Sequence, residues 1–128
     1  MRVALYGGSF NPPHKVHGRV AEWVVESDLV DAVWLVPVYA HAFEGQHDKA
    51  LAPFEDRVRW CQALARDLKV SVVVSRVEEQ LSVPSYSIDT LDYVAAQHPE
   101  HTFRLVVGAD ILGAVDGWKD WDRIRRLY

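Results

Sequence analysis

The chain has 128 residues, 49% of them hydrophobic, which supports one folded domain with its own core and argues against disorder. A net charge of -4 counts against a nucleic-acid groove over the whole surface but leaves room for a local anion site. The single cysteine, Cys61, excludes an intrachain disulfide, and no apolar run is long enough to cross a membrane.

Met1 and Arg2 lead straight into an apolar strand, Val3 to Tyr6, which leaves no room for a signal peptide and predicts a cytoplasmic protein. A helix is expected from His17 to Asp28, with Val20, Ala21, Val24 and Val25 on one side. Ala32 to Val36 reads as the second strand, stopped by Pro37, and a long loop follows to Pro53. Phe54 to Leu68 is the second major helix, with Val58, Cys61, Ala65 and Leu68 at helical spacing. Val70 to Val74 is a third strand, Ile88 to Gln97 a third helix, and Phe103 to Val107 a fourth strand, read as an interior one. A last helix, Lys119 to Leu127, closes the chain. Short, continuous apolar strands alternating with helices predict an α/β fold, a doubly wound parallel sheet covered on both faces. Trp23, Trp34 and Trp60 lie in apolar patterns and read as core, as does Cys61.

The densest chemistry sits after the first strand, in G-G-S-F-N-P-P-H-K-V-H-G, Gly7 to Gly18. Gly7 and Gly8 can take positive φ and let a phosphate approach the backbone. Pro12 and Pro13 stiffen the turn. His14 and His17 lie three apart at a helix start, where backbone amides attract anions. Two imidazoles there can hold phosphate oxygens and steady charge on a transferring phosphoryl group. The competing chemistry is zinc, with His41, Glu44, His47 or Asp48 as further ligands, but the spacing supplies no convincing third and fourth ligand, so no metal centre is assigned.

This stretch resembles the G-G-S/T-F-D-P-x-H-x-G-H signature of the nucleotidyltransferase superfamily. Asn11 stands at the usual Asp and Val16 at the usual Gly. Three later segments resemble bacterial nicotinate-nucleotide adenylyltransferases: P-S-Y-S-I-D-T-L (Pro84 to Leu91), L-V-V-G-A-D-I-L (Leu105 to Leu112) and G-W-K-D-W (Gly117 to Trp121). The resemblance implies a Rossmann-like nucleotidyltransferase fold and adenylyl transfer from ATP to nicotinate mononucleotide. It implies His17 on the α-phosphoryl group and His14 toward the β/γ end. ATP would also be bound by Gly7, Gly8, Ser9, Phe10, Gly108 and Asp110. The acceptor would meet Lys49, Arg57, Tyr86, Ser87 and Trp118. Mg²⁺ would ride on the ATP phosphates, and the same reaction on nicotinamide mononucleotide or another phosphorylated acceptor stays open, as does a nucleotide-binding module without turnover. No nucleic-acid or membrane partner is expected, and a homo-oligomer stays open.

Each later residue also has a plainer reading. Ser87 and Asp110 can cap helices. Arg57 can pair with Glu55 or Asp56, and Lys49 can be a solvated loop lysine. Trp121 reads as packing. The family's P-P-H-K/R segment after the second strand is replaced by His41 to Lys49, and its late S-S/T-x-x-R segment is missing. Residues 1–128 therefore read as a nucleotidyltransferase domain lacking its C-terminal part, and the natural polypeptide is expected to continue past Tyr128.

Overall fold

The computed structural model describes residues 1–39, 52–81, 87–107 and 117–128. Four strands form one sheet: β1 (Arg2–Gly8), β2 (Ala32–Pro37), β3 (Val72–Val74) and β4 (Thr102–Leu105). Their order is β3-β2-β1-β4, and every pairing is parallel. The helices are α1 (Lys15–Glu26), α2 (Phe54–Arg66), α3 (Ser87–Gln97) and α4 (Trp121–Leu127), with a short 3-10 turn at Val77–Gln80.

Side chains alternate across a strand, so β1 feeds two cores. Val3 and Leu5 join Val36, Ile88, Leu91, Val94, Phe103 and Ile124 on the face covered by α3 and α4. Ala4 joins Ala21, Val24, Val33, Leu35 and Cys61 on the face covered by α1 and α2. That is the doubly wound arrangement expected from the apolar runs. At the sheet's amino-terminal end the Arg2 guanidinium reaches Asp28 and Asp31 on the surface. Those hydrogen bonds hold the Asp31 carboxyl down at about 2.

Among the described residues β4 pairs with β1 alone, which leaves its other side as the sheet edge where a further strand of a longer polypeptide is expected to add. The expected core needs correction. Trp23 and Trp60 are not core: they are 61% and 39% exposed. Their helices turn Ala21, Val24, Val58 and Cys61 inward instead. Trp34 does pack against the α3 face. Cys61 is fully buried, and desolvation pushes its thiol up to about 12, so it is core filler without nucleophilic character. No helix among the described residues is long and apolar enough to span a membrane.

Candidate active site

The strand order fixes where a ligand can enter. From β1 the chain winds outward through β2 to β3, then returns to the other side of β1 as β4. The sheet thus changes winding direction between β1 and β4, and open α/β sheets bind ligands at the carboxyl ends of strands at such a point. The turn after β1 lies there. The Val106 N–H donates to the Leu5 carbonyl at 2.9 Å, so the chain leaving β4 runs toward the same end.

In the Gly7–His17 turn the left-handed residue is not a glycine. Both glycines stay within β1, and the positive φ, 47°, falls on Phe10. The expectation of positive φ at Gly7 and Gly8 is therefore overturned. Gly8 matters for space: a Cβ there would stand 3.4 Å from the Phe10 ring. At Gly7 a Cβ would meet only the Val36 carbonyl, at 3.9 Å, which leaves its exposed side open to an approaching group.

His14 is the N-cap of α1, with extended backbone, and His17 is the third helical residue. The His17 N–H donates to the His14 carbonyl at 3.0 Å. The His14 N–H donates back to His17 Nδ1 at 3.0 Å. His14 and His17 thus occupy the two positions of a capping box, with the His17 imidazole nitrogen in the place of the usual Glu or Gln oxygen. This arrangement explains the three-residue spacing and the earlier start of α1, at Lys15 and not His17. The two rings stack, centroids 3.9 Å apart.

That hydrogen bond decides the chemistry of His17. A backbone N–H can only donate, so Nδ1 must be unprotonated and the neutral ring carries its proton on Nε2. Partial burial and then the neighbouring His14 lower the His17 pKa from 6.5. Among the described residues the titratable groups facing it are His14 and Tyr6, whose ring centroid is 5.9 Å away. Tyr6 itself is shifted up by burial and stays neutral. The site thus offers a fixed neutral N–H donor beside the first-turn amides of α1, suited to an anion. In an NMR titration of the free protein, the His17 midpoint should fall below 6.5. The sign follows: unfolded chain takes up the proton first, so His17's contribution to stability is complete above 6.5 and lost as pH falls through its folded pKa.

The remaining predicted residues divide three ways. Ser9 is partly buried and Phe10 is buried behind the turn, the ring of Phe10 lying 4.9 Å from that of His17. Ser87 is the first residue of α3 and partly exposed. Trp118 is partly buried, edge-on to Trp121 at 6.1 Å and packed with it against the α3 face. Lys119 reaches Asp89 at 3.3 Å, which docks the Trp118 segment on the first turn of α3 near Ser87. Lys49, Tyr86, Gly108 and Asp110 lie outside the described residues, as do His41, Glu44, His47 and Asp48.

Arg57 is turned inward and does not pair with Glu55 or Asp56. It is 1% exposed, and its guanidinium donates to the carbonyls of Ala52, Ser9 and Val38. It touches neither acid next to it through these bonds. Glu55 pairs instead with Arg76, and Asp56 with Arg59. Sequence reasoning also passed over His98, Glu100 and His101, whose ligand atoms lie within 4.8 Å of one another. They precede β4, at the sheet's opposite end, where a Glu100 carboxylate oxygen lies 3.3 Å from His98 Nδ1 and 3.5 Å from His101 Nε2. The H-P-E-H spelling was the available signal.

A profile of the cytidylyltransferase-like family matches residues 5–128. The chain is 44% identical over 128 residues to a protein of Anaeromyxobacter sp. (strain K) named "Probable nicotinate-nucleotide adenylyltransferase", covering 98% of this chain and 66% of that one. A protein of the same name from Myxococcus xanthus (strain DK1622) is 39% identical over 127 residues, with 99% and 65% covered. The chain thus spans just under two thirds of the length of these relatives. In structure it is similar to the Plasmodium falciparum nicotinic acid mononucleotide adenylyltransferase complexed with NaAD, with a TM-score of 0.78 over 96% of this chain and 59% of that one. At 19% identity this likeness speaks for the fold alone, a Rossmann-like nucleotidyltransferase sheet. With the profile running through β1, the histidine turn and all four helices, the chain belongs to the cytidylyltransferase-like family.

Proposed function

We propose that this protein transfers the adenylyl group of ATP to nicotinate mononucleotide, giving nicotinate adenine dinucleotide and pyrophosphate. The observation that carries the reading is the stacked His14–His17 pair at the start of α1, on the sheet's switch point, with His17 held as an Nε2–H donor. The name shared by the relatives supplies the acceptor.

An oxygen of the mononucleotide 5'-phosphate attacks the α-phosphorus of ATP in line. The bond from that phosphorus to the bridging oxygen breaks, and pyrophosphate leaves with the electron pair. The attacking phosphate is already ionised near neutral pH, so no strong base is needed. Rate comes from positioning and from donors aimed at the developing charge. His17 meets the α-phosphoryl oxygens, and His14, exposed at the cap, takes the β/γ end. Gly7, Gly8, Ser9, Gly108 and Asp110 complete the ATP site, with Phe10 behind it. A Mg²⁺ ion bound with ATP would supply charge neutralisation on the phosphates. The described residues of the turn fit an ion carried in by ATP, since Asn11 replaces a carboxylate and its amide oxygen is bonded to the Ala52 N–H. The acceptor side is Tyr86, Ser87 and Trp118, with Lys49 toward its phosphate.

Pyrophosphate release from ATP, measured with a panel of phosphorylated acceptors, tests the reading. Nicotinate mononucleotide should be used with higher kcat/KM than nicotinamide mononucleotide. Neutral donors near Ser87 would make that preference, since no arginine lies in the 84–91 or 117–121 segments. Equal values for the two would remove the acid preference. Turnover of neither would leave only the family assignment and favour a binding module.

A further inference from the structure

The Ser9–Asn11 turn is gripped from behind. Arg57 Nη1 donates to the Ser9 carbonyl at 3.1 Å and to the Val38 carbonyl at 2.6 Å. Its Nε donates to the Ala52 carbonyl at 2.8 Å. The Ala52 N–H in turn donates to Asn11 Oδ1 at 3.0 Å. One buried guanidinium and one amide thus stitch together the phosphate turn, the exit of β2 and the entrance of α2. The Phe54 ring backs the guanidinium, its centroid 5.5 Å from Arg57 Cζ.

Between the two gripped residues lies Phe10. A bulky side chain at positive φ is strained, and such strain persists only where the surroundings over-determine it. The Phe10 ring is 2% exposed and meets the His17 ring edge-on. The path from Arg57 to the imidazole therefore has only two steps: Ser9 and Asn11 fix the Phe10 backbone, and the Phe10 ring fixes His17.

We propose that Arg57 and Asn11 form a clasp that positions His17 through Phe10, so that Arg57 serves the ATP side of the reaction as a positioning residue and not the acceptor phosphate as a ligand. A burial this complete suits the role. A cation without hydrogen bonds would be costly there, and three carbonyls accept from it. A lysine keeps the charge but presents one nitrogen in place of the fork. The consequence for turnover rests on the proposed adenylyl transfer; the consequence for the His17 ring does not.

The test uses the full-length protein, with melting temperature and circular dichroism to confirm folding. Two readouts are taken: the ¹⁵N shifts of the His17 ring, and kcat and KM for each substrate. In the parent, the shifts should report a single tautomer with the proton on Nε2. In Arg57→Lys they should move toward a tautomer mixture, and kcat should fall up to about 100-fold, the scale of a small misplacement, with acceptor KM within about threefold of the parent. Asn11→Leu should repeat the pattern, while Asn11→Asp keeps an acceptor oxygen and should keep the parent shifts. Unchanged shifts in both Arg57→Lys and Asn11→Leu overturn the clasp. So does a raised acceptor KM with kcat intact, which would make Arg57 an acceptor ligand. If Arg57→Lys does not fold, the two Asn11 variants decide. If the parent turns over no acceptor, the functional proposal fails while the ring shifts still decide the clasp.

Discussion

Replacing His17 with alanine should leave ATP binding nearly intact and lower turnover by roughly 100- to 1000-fold, the usual cost of one preorganised donor to a developing charge. The asymmetry is the informative part. In the proposed reaction a ground-state phosphate would have other partners at the α1 amides, while the donor at Nε2 would gain most when the phosphoryl group spreads its charge. ATP affinity by calorimetry and kcat by pyrophosphate release separate the two effects. A kcat within about threefold of the parent would remove His17 from the chemistry. The cap predicts a further detail: the variant loses the acceptor for the His14 N–H, so the His14 amide should exchange faster than it does in the parent.

Phe10→Ala should be the most disruptive single change in the turn. The ring is buried at 2% exposure, packs with Ala21, Val24, Leu35 and Cys61, and touches Tyr6 and His17. Truncating a buried phenylalanine costs about 3–5 kcal/mol. A domain is typically stable by about 5–15 kcal/mol, so the variant should melt far lower yet remain measurable in the cold. Alanine at the same positive φ relieves none of the backbone strain. Denaturant unfolding gives the loss directly. A cost under about 1 kcal/mol would mean that the ring contributes little packing.

The layout of the fold was legible because its signals are local. Runs such as Ala32–Val36 are short, apolar and bounded, and two-sided burial follows from their lack of alternation. The histidine pair was legible for the same reason: a spacing of three at a helix start has few geometric meanings. What escaped depends on tertiary contact. Trp23 and Trp60 flank apolar stripes, and a periodic pattern does not say which flank turns outward. A lone arginine at a helix start looks alike in sequence whether it meets a phosphate or three carbonyls, so Arg57 could not be placed. Nor could the left-handed backbone at Phe10, which the common rule would assign to a neighbouring glycine. Both depend on chain segments brought together from positions 9, 38, 52 and 57.

The imidazole at position 17 answers to two demands at once. As the third residue of a helix it closes the cap, a task for which glutamate is the standard choice. As the donor over an anion site it must carry no negative charge. A glutamate here would suit the start of α1 and its dipole while repelling the polyphosphate of the proposed reaction. Selection for thermal stability alone would therefore drift away from activity at this position. Histidine marks the compromise: an acceptor on one edge for the backbone, a donor on the other for the ligand.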